Sequence, residues 1–266
     1  MQLSLFDVGL AAVLIILNGL ISIVLRLQLG RSLFIASLRT ILQLLLIGFV
    51  LETIFSWHRW YTVFGLLLVM TVIAGASAVG RCELRYRGAY IDSFLAVWCS
   101  SWAVAVYGLL AITRDVEPWY LPQYAIPLTG MILGNSLNGI SLGLNRLTEQ
   151  LATRRQQVEA CLALGATSWE AARPCIQKAV HTGMIPTVNS MMVVGIVNLP
   201  GMMTGQLLSG VAPGQAVRYQ IVIMFLIAAA TGLGTVSVVL LSYCRLFNAD
   251  HQFLHAAIFK RESQPA

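Results

Sequence analysis

QLATRRQQVEACLALGATSWEAARPCIQK, residues 150–178, is a water-soluble, patterned stretch in an otherwise apolar chain. A polar helix through Asn145–Gln157, carrying Arg146, Glu149, Arg154 and Arg155, is predicted to continue the apolar segment before it. A short helix follows at Val158–Leu164, with Val158, Cys161, Leu162 and Leu164 able to line one side while Glu159 projects elsewhere. Gly165 is placed to end that helix in the left-handed conformation. Thr167 and Glu170 then have the S/T-x-x-E spacing of a capping box that opens the next helix at Ser168, with Pro174 positioned to kink or divide it. A short helix held crosswise between two longer ones can pass force from a soluble partner to membrane helices. An ordinary amphipathic connector fits the same pattern equally well.

Working outward, the flanks are membrane spans. Charged residues make up 11% of the chain, against about 25% in soluble domains. Seven segments have the ~20 residues a helix needs to cross the hydrocarbon: near Phe6–Leu25, Leu33–Phe55, Trp60–Gly80, Ser93–Ile112, Pro122–Leu144, Gly183–Leu208 and Tyr219–Tyr243. Lipid offers no partner to backbone N–H and C=O groups, so helices are required. The expected fold is an all-α polytopic membrane protein of about seven transmembrane helices, with Pro127, Pro186 and Pro200 interrupting the later ones. The chain reads as one membrane domain over 1–247, with a soluble insertion at 145–178 and a short tail at 248–266.

Basic residues set the orientation. Thirteen of the 17 Lys and Arg fall on one side: Arg26, Arg31, Arg81, Arg85, Arg87, Arg146, Arg154, Arg155, Arg173, Lys178, Arg245, Lys260 and Arg261. Arg59, Arg114 and Arg218 fall on the other, and Arg39 lies inside the second span. The positive-inside rule places the N-terminus outside and the C-terminus and insertion in the cytoplasm, in a cell (inner or plasma) membrane. Trp57, Trp60, Tyr61, Trp119 and Tyr120 form an aromatic belt at the outer ends. The net charge of +6 therefore reports topology, and no basic stretch suggests nucleic acid. The first span has no basic residue before it, so it is expected to act as its own insertion signal and not as a removable leader.

The five cysteines avoid the external loops, so no disulfide framework is expected; Cys161 and Cys175 read better as small apolar residues than as ligands. His251 and His255 read as a solvated pair on the tail. No G-x-x-x-x-G-K-[ST] motif is present, and neither of the two lysines, Lys178 and Lys260, lies in such a context. The chain is expected to be no enzyme, binding no cofactor itself.

Resemblance extends this reading. Glu159-Ala160 followed by Gly165 resembles the EAA-x-x-x-G coupling-helix pattern of ABC transporter permeases, with Cys161 where a second alanine would stand. Three further stretches, Arg39–Leu44, Pro127–Ser136 and Ile185–Gly205 with its Leu199-Pro200-Gly201-Met202-Met203 element, resemble the iron-export (FetB-like) permease family, which has plant relatives linked to aluminium tolerance. The resemblance implies a single ABC-transporter transmembrane domain that works as a homodimer with two separate ATP-binding subunits, which hold ATP and Mg. Glu159, Ala160, Leu162, Leu164 and Gly165 would dock into a groove of that subunit.

Polar groups inside spans are expensive and mark candidate pathways. The second span carries Arg39 and Gln43, one turn apart; the fifth carries Asn135 and Asn138, with Gly130 and Gly134 as a G-x-x-x-G for close helix approach. The sixth carries Asn189 and Asn198 before Pro200-Gly201, where the helix should break. Interhelical hydrogen bonding explains any single Asn as well as a pathway does. Met191-Met192 and Met202-Met203 offer thioethers, which suit Cu(I) better than iron, so no metal ligand is assigned. Arg39 would repel a bare cation unless a carboxylate such as Asp7 or Asp92 neutralises it. Expected cargo is thus iron or another metal by resemblance, with an organic anion such as a nucleotide sugar as the alternative. A non-transporting seven-span receptor or scaffold is the reading from a different class.

Overall fold

A computed structural model describes residues 5–27, 30–57, 59–112, 121–248 and 250–260. His58, Arg114, Trp119, Tyr120 and Arg261, with the side chains of Asp7, Trp57 and Lys260, lie outside the described residues. The chain divides into two compact units, Met1–Arg59 and Trp60–Ala266.

The first unit is a pair of apolar helices, α1 (Leu5–Val24) and α2 (Gly30–Trp57). The start of α2 lies beside α1: a Cβ at Gly30 would be in ordinary contact with the Gly19 carbonyl oxygen, at 3.8 Å. Ser37, Thr40 and Thr53 each donate a hydroxyl to the carbonyl four residues earlier, so these three hydroxyls are satisfied within α2. Gly30–Ser56 is long and apolar enough to cross a membrane.

The second unit is built on α3 (Trp60–Gly80), β1 (Leu84–Tyr86), α4 (Ala89–Ile112), α5 (Pro122–Thr153), α6 (Arg155–Ala163), α7 (Ser168–Val193), α8 (Gly201–Leu208) and α9 (Pro213–Leu246). A 3-10 turn at His255–Ala257 and β2 (Ile258–Lys260) close it, with β2 antiparallel to β1. The 32-residue α5 is about 48 Å long and packs against α3, α4, α7 and α9. Windows within α3, α4 and α9 have the length and apolarity of membrane spans. The all-α expectation holds, with one short ribbon added.

The predicted sixth span differs. α7 starts early, at Ser168, and ends at Val193; the loop at 194–200 follows, and α8 begins at Gly201. The loop closes on itself, Gly195 N donating to the Asn198 carbonyl over 2.9 Å with Gly195 at φ +82°. Pro200 is the N-cap of α8, as expected of a helix breaker. Pro127, Pro174 and Pro186, by contrast, sit inside unbroken helices. Each removes one backbone donor, and the packing of α5 and α7 on their neighbours carries the helix past it.

Glycine pattern and packing part company within α5. The predicted G-x-x-x-G is idle in this unit: a Cβ at Gly134 would meet nothing within 4 Å, and one at Gly130 would meet only Met70 Cε. The working pair is Gly139 and Gly143, one face further along. A Cβ at Gly143 would stand 2.7 Å from Thr235 Cγ2, one at Gly183 of α7 2.5 Å from the same methyl, and one at Gly139 2.9 Å from Thr235 Oγ1. Two helices, α5 and α7, thus close around one threonine of α9, and the Gly139 carbonyl lies 2.7 Å from where a Gly183 side chain would begin.

An ion pair between a buried carboxylate and an exposed arginine ties the end of the bundle that carries β1. Asp92, 2% exposed, receives Arg245 Nε at 2.6–2.8 Å and the Tyr86 hydroxyl at 2.8 Å; Tyr86 also meets Ser242 Oγ at 2.9 Å. Burial raises the Tyr86 phenol, keeping it a neutral donor to the carboxylate. Gly88, at φ +101°, leaves the room: a Cβ there would lie 2.8 Å from the Arg245 guanidinium carbon. Within this unit Asp92 is paired with Arg245. Nearby, burial pushes the Cys82 thiol up to about 11, against the opposing charge of Arg85.

Replacing Gly183 by Leu should cost about 1–3 kcal/mol through overpacking, read as a lowered thermal midpoint in detergent. Gly134→Ala should not lower it. Equal losses at both positions would contradict the packing described.

Candidate functional site

Short-range hydrogen bonding fixes the turn that connects α5, α6 and α7. Arg154 (φ −96°, ψ 21°) ends α5 and begins α6, so the chain turns on a single residue. At the far end Gly165 N donates to the Leu162 carbonyl (3.0 Å) and Ala166 N to the Cys161 carbonyl (3.1 Å), with Gly165 at φ +90°. That is a Schellman closure, and it is why glycine is needed there. One residue later Thr167 caps α7: its Oγ1 accepts from Glu170 N while Thr167 N donates to Glu170 Oε2 at 2.8 Å. The bond from Thr167 N, then that from its hydroxyl, holds the Glu170 carboxyl below its ordinary range. Two rigid closures in succession leave the elbow little freedom.

α6 runs Arg155–Ala163, beginning three residues before its predicted start, because α5 stops at Thr153. Within α6 only Val158 is fully buried, with Leu162 packed beside it on the next turn. Cys161 and Leu164, expected on the packed side, face outward; Leu164 is the C-cap residue, past the last helical turn, and 88% exposed. Glu159, Ala160, Leu164 and Gly165 lie together on the uncovered side. Glu159 is paired with Arg155 at 2.7 Å, both about half exposed, so the pair contributes only a few tenths of a kcal/mol. The elbow projects an apolar tip beside a paired carboxylate.

His251 is exposed and His255 half-buried, and both rings are hydrogen-bonded to the bundle. His251 and His255 do not share a helix: the first accepts from Ser168 at the start of α7, and the second sits 3.1 Å from Arg155 at the start of α6. Nothing in a linear reading connects residues 83 and 100 positions apart. Cys175 is buried, and desolvation raises its thiol; Cys161 is exposed.

The candidate pathway residues fall into separate places. Asn138 accepts from Arg81 at 2.7 Å, a role in holding the α3 end that its spacing with Asn135 did not reveal. Asn135 donates to its own helix at the Met131 carbonyl and is exposed, as is Gly134 beside it. Asn189 is exposed on α7 and Asn198 in the loop; Pro200, Met202 and Met203 are half-buried at the start of α8, where Gly201 is exposed. Arg39 and Gln43 are both exposed on α2 of the first unit. Among the described residues no carboxylate pairs with Arg39, and no three His, Cys, Asp or Glu side chains gather to hold a metal.

Long apolar helices satisfying their own backbone, with a doubly capped elbow at one end, define a polytopic helical membrane protein. The chain belongs to UPF0014, described as an uncharacterised protein family, whose family model matches residues 5–247. It is 40% identical over 228 residues to a UPF0014 membrane protein of Synechocystis, covering 86% of this chain and 88% of the relative. It is 31% identical over 256 residues to the probable iron export permease protein FetB of Escherichia coli, covering 96% of each. It is 30% identical over 244 residues to the protein ALUMINUM SENSITIVE 3 of Arabidopsis thaliana, covering 91% and 87%. No solved structure matches it significantly.

Thr167→Ala should remove the capping box and cost about 1 kcal/mol, seen as faster amide exchange in the first turn of α7. Exchange identical to the unaltered chain would show that the cap is dispensable.

Proposed function

We propose that this chain is the membrane permease subunit of an ABC transporter that exports iron or another metal, driven by a separate ATP-binding subunit docked on α6. The observation that carries the docking reading is the elbow: a nine-residue helix, locked at its end by a Schellman closure and a capping box, holds Leu164 at 88% exposure. An exposed leucine on a rigid turn offers apolar surface that a groove on the partner would take out of water. A rigid mount is also what force transmission needs, since a mobile one would absorb the partner's motion. On this reading ATP and Mg are held by that partner, in keeping with a sequence that has no G-x-x-x-x-G-K-[ST] motif. Two such chains with two ATP-binding subunits make the working assembly, with the N-terminus outside and the elbow in the cytoplasm, on the distribution of Lys and Arg.

Metal as cargo rests on the relative named a probable iron export permease, similar over 96% of this chain. An organic anion such as a nucleotide sugar is the second reading. It is favoured by Arg39, exposed on α2 with no carboxylate partner among the described residues. Such a charge would repel Fe²⁺ and attract an anion or an anionic metal complex.

Leu164→Asp should leave folding intact, because the side chain is almost wholly exposed, and should lower capture of the ATP-binding subunit about tenfold or more. Unchanged capture would remove α6 as the docking element. With both subunits in liposomes, ATP-dependent movement of Fe²⁺ is expected. Movement of UDP-sugars with no response to metals would transfer the assignment to the anion reading. Arg39→Gln should alter transport while the ATP-binding subunit remains bound.

A further inference from the structure

The tail after α9 is built. Asn248 staples a reversal: its Oδ1 accepts from Gln252 N at 2.7 Å, and its own N donates to the Gln252 carbonyl at 3.2 Å. The strand then runs back along the end of α9, Phe253 bridging Phe247 and Leu254 N donating to the Leu246 carbonyl at 2.8 Å. Phe253 stacks on Phe247, with centroids 5.2 Å apart, and Phe247 lies against Tyr243. Beyond the 3-10 turn, β2 pairs with β1 between α3 and α4, Tyr86 opposite Ile258 and Leu84 opposite Lys260.

Two contacts from this segment reach the roots of the elbow. His251 Nδ1 lies 2.9 Å from Ser168 Oγ and accepts from Ser168 N at 3.3 Å, one of the N–H groups that a helix start leaves unpaired. His251 is held for this at φ +56°, a left-handed conformation that costs a non-glycine residue of order 1 kcal/mol. His255 Nδ1 lies 3.1 Å from Arg155 Nη1 at the first residue of α6. A guanidinium only donates, so that nitrogen is the acceptor. Neither ring is part of the bundle core; each joins the tail to the first residue of a helix on either side of the projecting turn.

We infer that Asn248 and residues 250–260 are a strap that fixes the α6–α7 elbow to β1 and the end of α9, with the Nδ1 atoms of His251 and His255 as its two clasps. These are positioning residues. Through them a displacement of α6 reaches β1, and through Tyr86 and Asp92 the start of α4, by a route separate from the covalent one along α5 and α7. The transmission part of this inference rests on reading α6 as the docking helix; the clasping itself does not.

Amide hydrogen exchange on the purified full chain tests the strap with no partner present. Ending the chain after Phe247 should speed exchange over residues 155–168 roughly tenfold while the amides of α4 and the middle of α9 keep their protection. Should that truncation loosen the whole bundle, the double variant His251→Ala/His255→Ala decides, and it should speed the same window. The rescue is His251→Asn/His255→Asn, whose Oδ1 stands near the position of the imidazole Nδ1 and should restore protection. Exchange over 155–168 within twofold of the unaltered chain in the alanine variant, or no recovery with asparagine, overturns the strap. Whether α6 docks an ATP-binding subunit is decided separately by capture with Leu164→Asp, so the two ideas fail on different measurements.

Discussion

Everything in the larger unit depends on how closely α5, α7 and α9 approach around Thr235. Lipid tails are as apolar as the side chains they would replace, so helices in a membrane gain little from hydrophobic burial against each other and rely on tight packing. Gly139, Gly143 and Gly183 provide that packing by having no side chain where Thr235 sits. The crossing sets where α5 and α7 leave the bundle, and therefore the gap that the elbow must span. Arg245 with Asp92 then fixes the same end from the α4 side, at a place where removing one partner would strand a buried charge.

Local chemistry made the elbow legible in the sequence. Its closures act over three to five residues, so Gly165 and the Thr167–Glu170 spacing identified its boundaries and the conformation at each. The apolar lengths did the same for most spans. What the sequence hid was every decision made between distant residues. Gly130/Gly134 and Gly139/Gly143 have the same spacing on one helix, and only the position of Thr235, some ninety residues later, separates the idle pair from the working one. The bond from Arg81 to Asn138 spans 57 residues, so the spacing of Asn138 with Asn135 gave no sign of it. The bonds from the tail to Arg155 and Ser168 were hidden in the same way. The outward turn of Leu164 was missed for a simpler reason: helical periodicity was extended one residue beyond the helix end.

The elbow and the pathway candidates place different demands on the chain. The elbow is rigid at its α7 side, where a Schellman closure and a capping box follow one another. The region from Asn189 to Met203 is a helix end, a closed loop and a new short helix, with Ile196 and Val197 more than four-fifths exposed. Irregular backbone of this kind is tolerated at membrane depth only where protein or a cavity receives it. A stiff input and a broken, adaptable segment on the same helix, α7, suit a device in which one end is pushed and the other rearranges.

One property of the elbow reaches beyond mechanics. Leu164 and its exposed neighbours contribute almost nothing to the stability of the chain that carries them, because the caps and Val158 hold α6 without their help. Side chains on that tip can therefore change with little penalty to folding, while Gly165, Thr167 and Glu170 cannot. If α6 docks an ATP-binding subunit as proposed, duplicated copies of such a gene can diverge in which subunit they recruit through a handful of surface substitutions, leaving the membrane bundle unaltered. The tip behaves as an exchangeable address on a fixed mount.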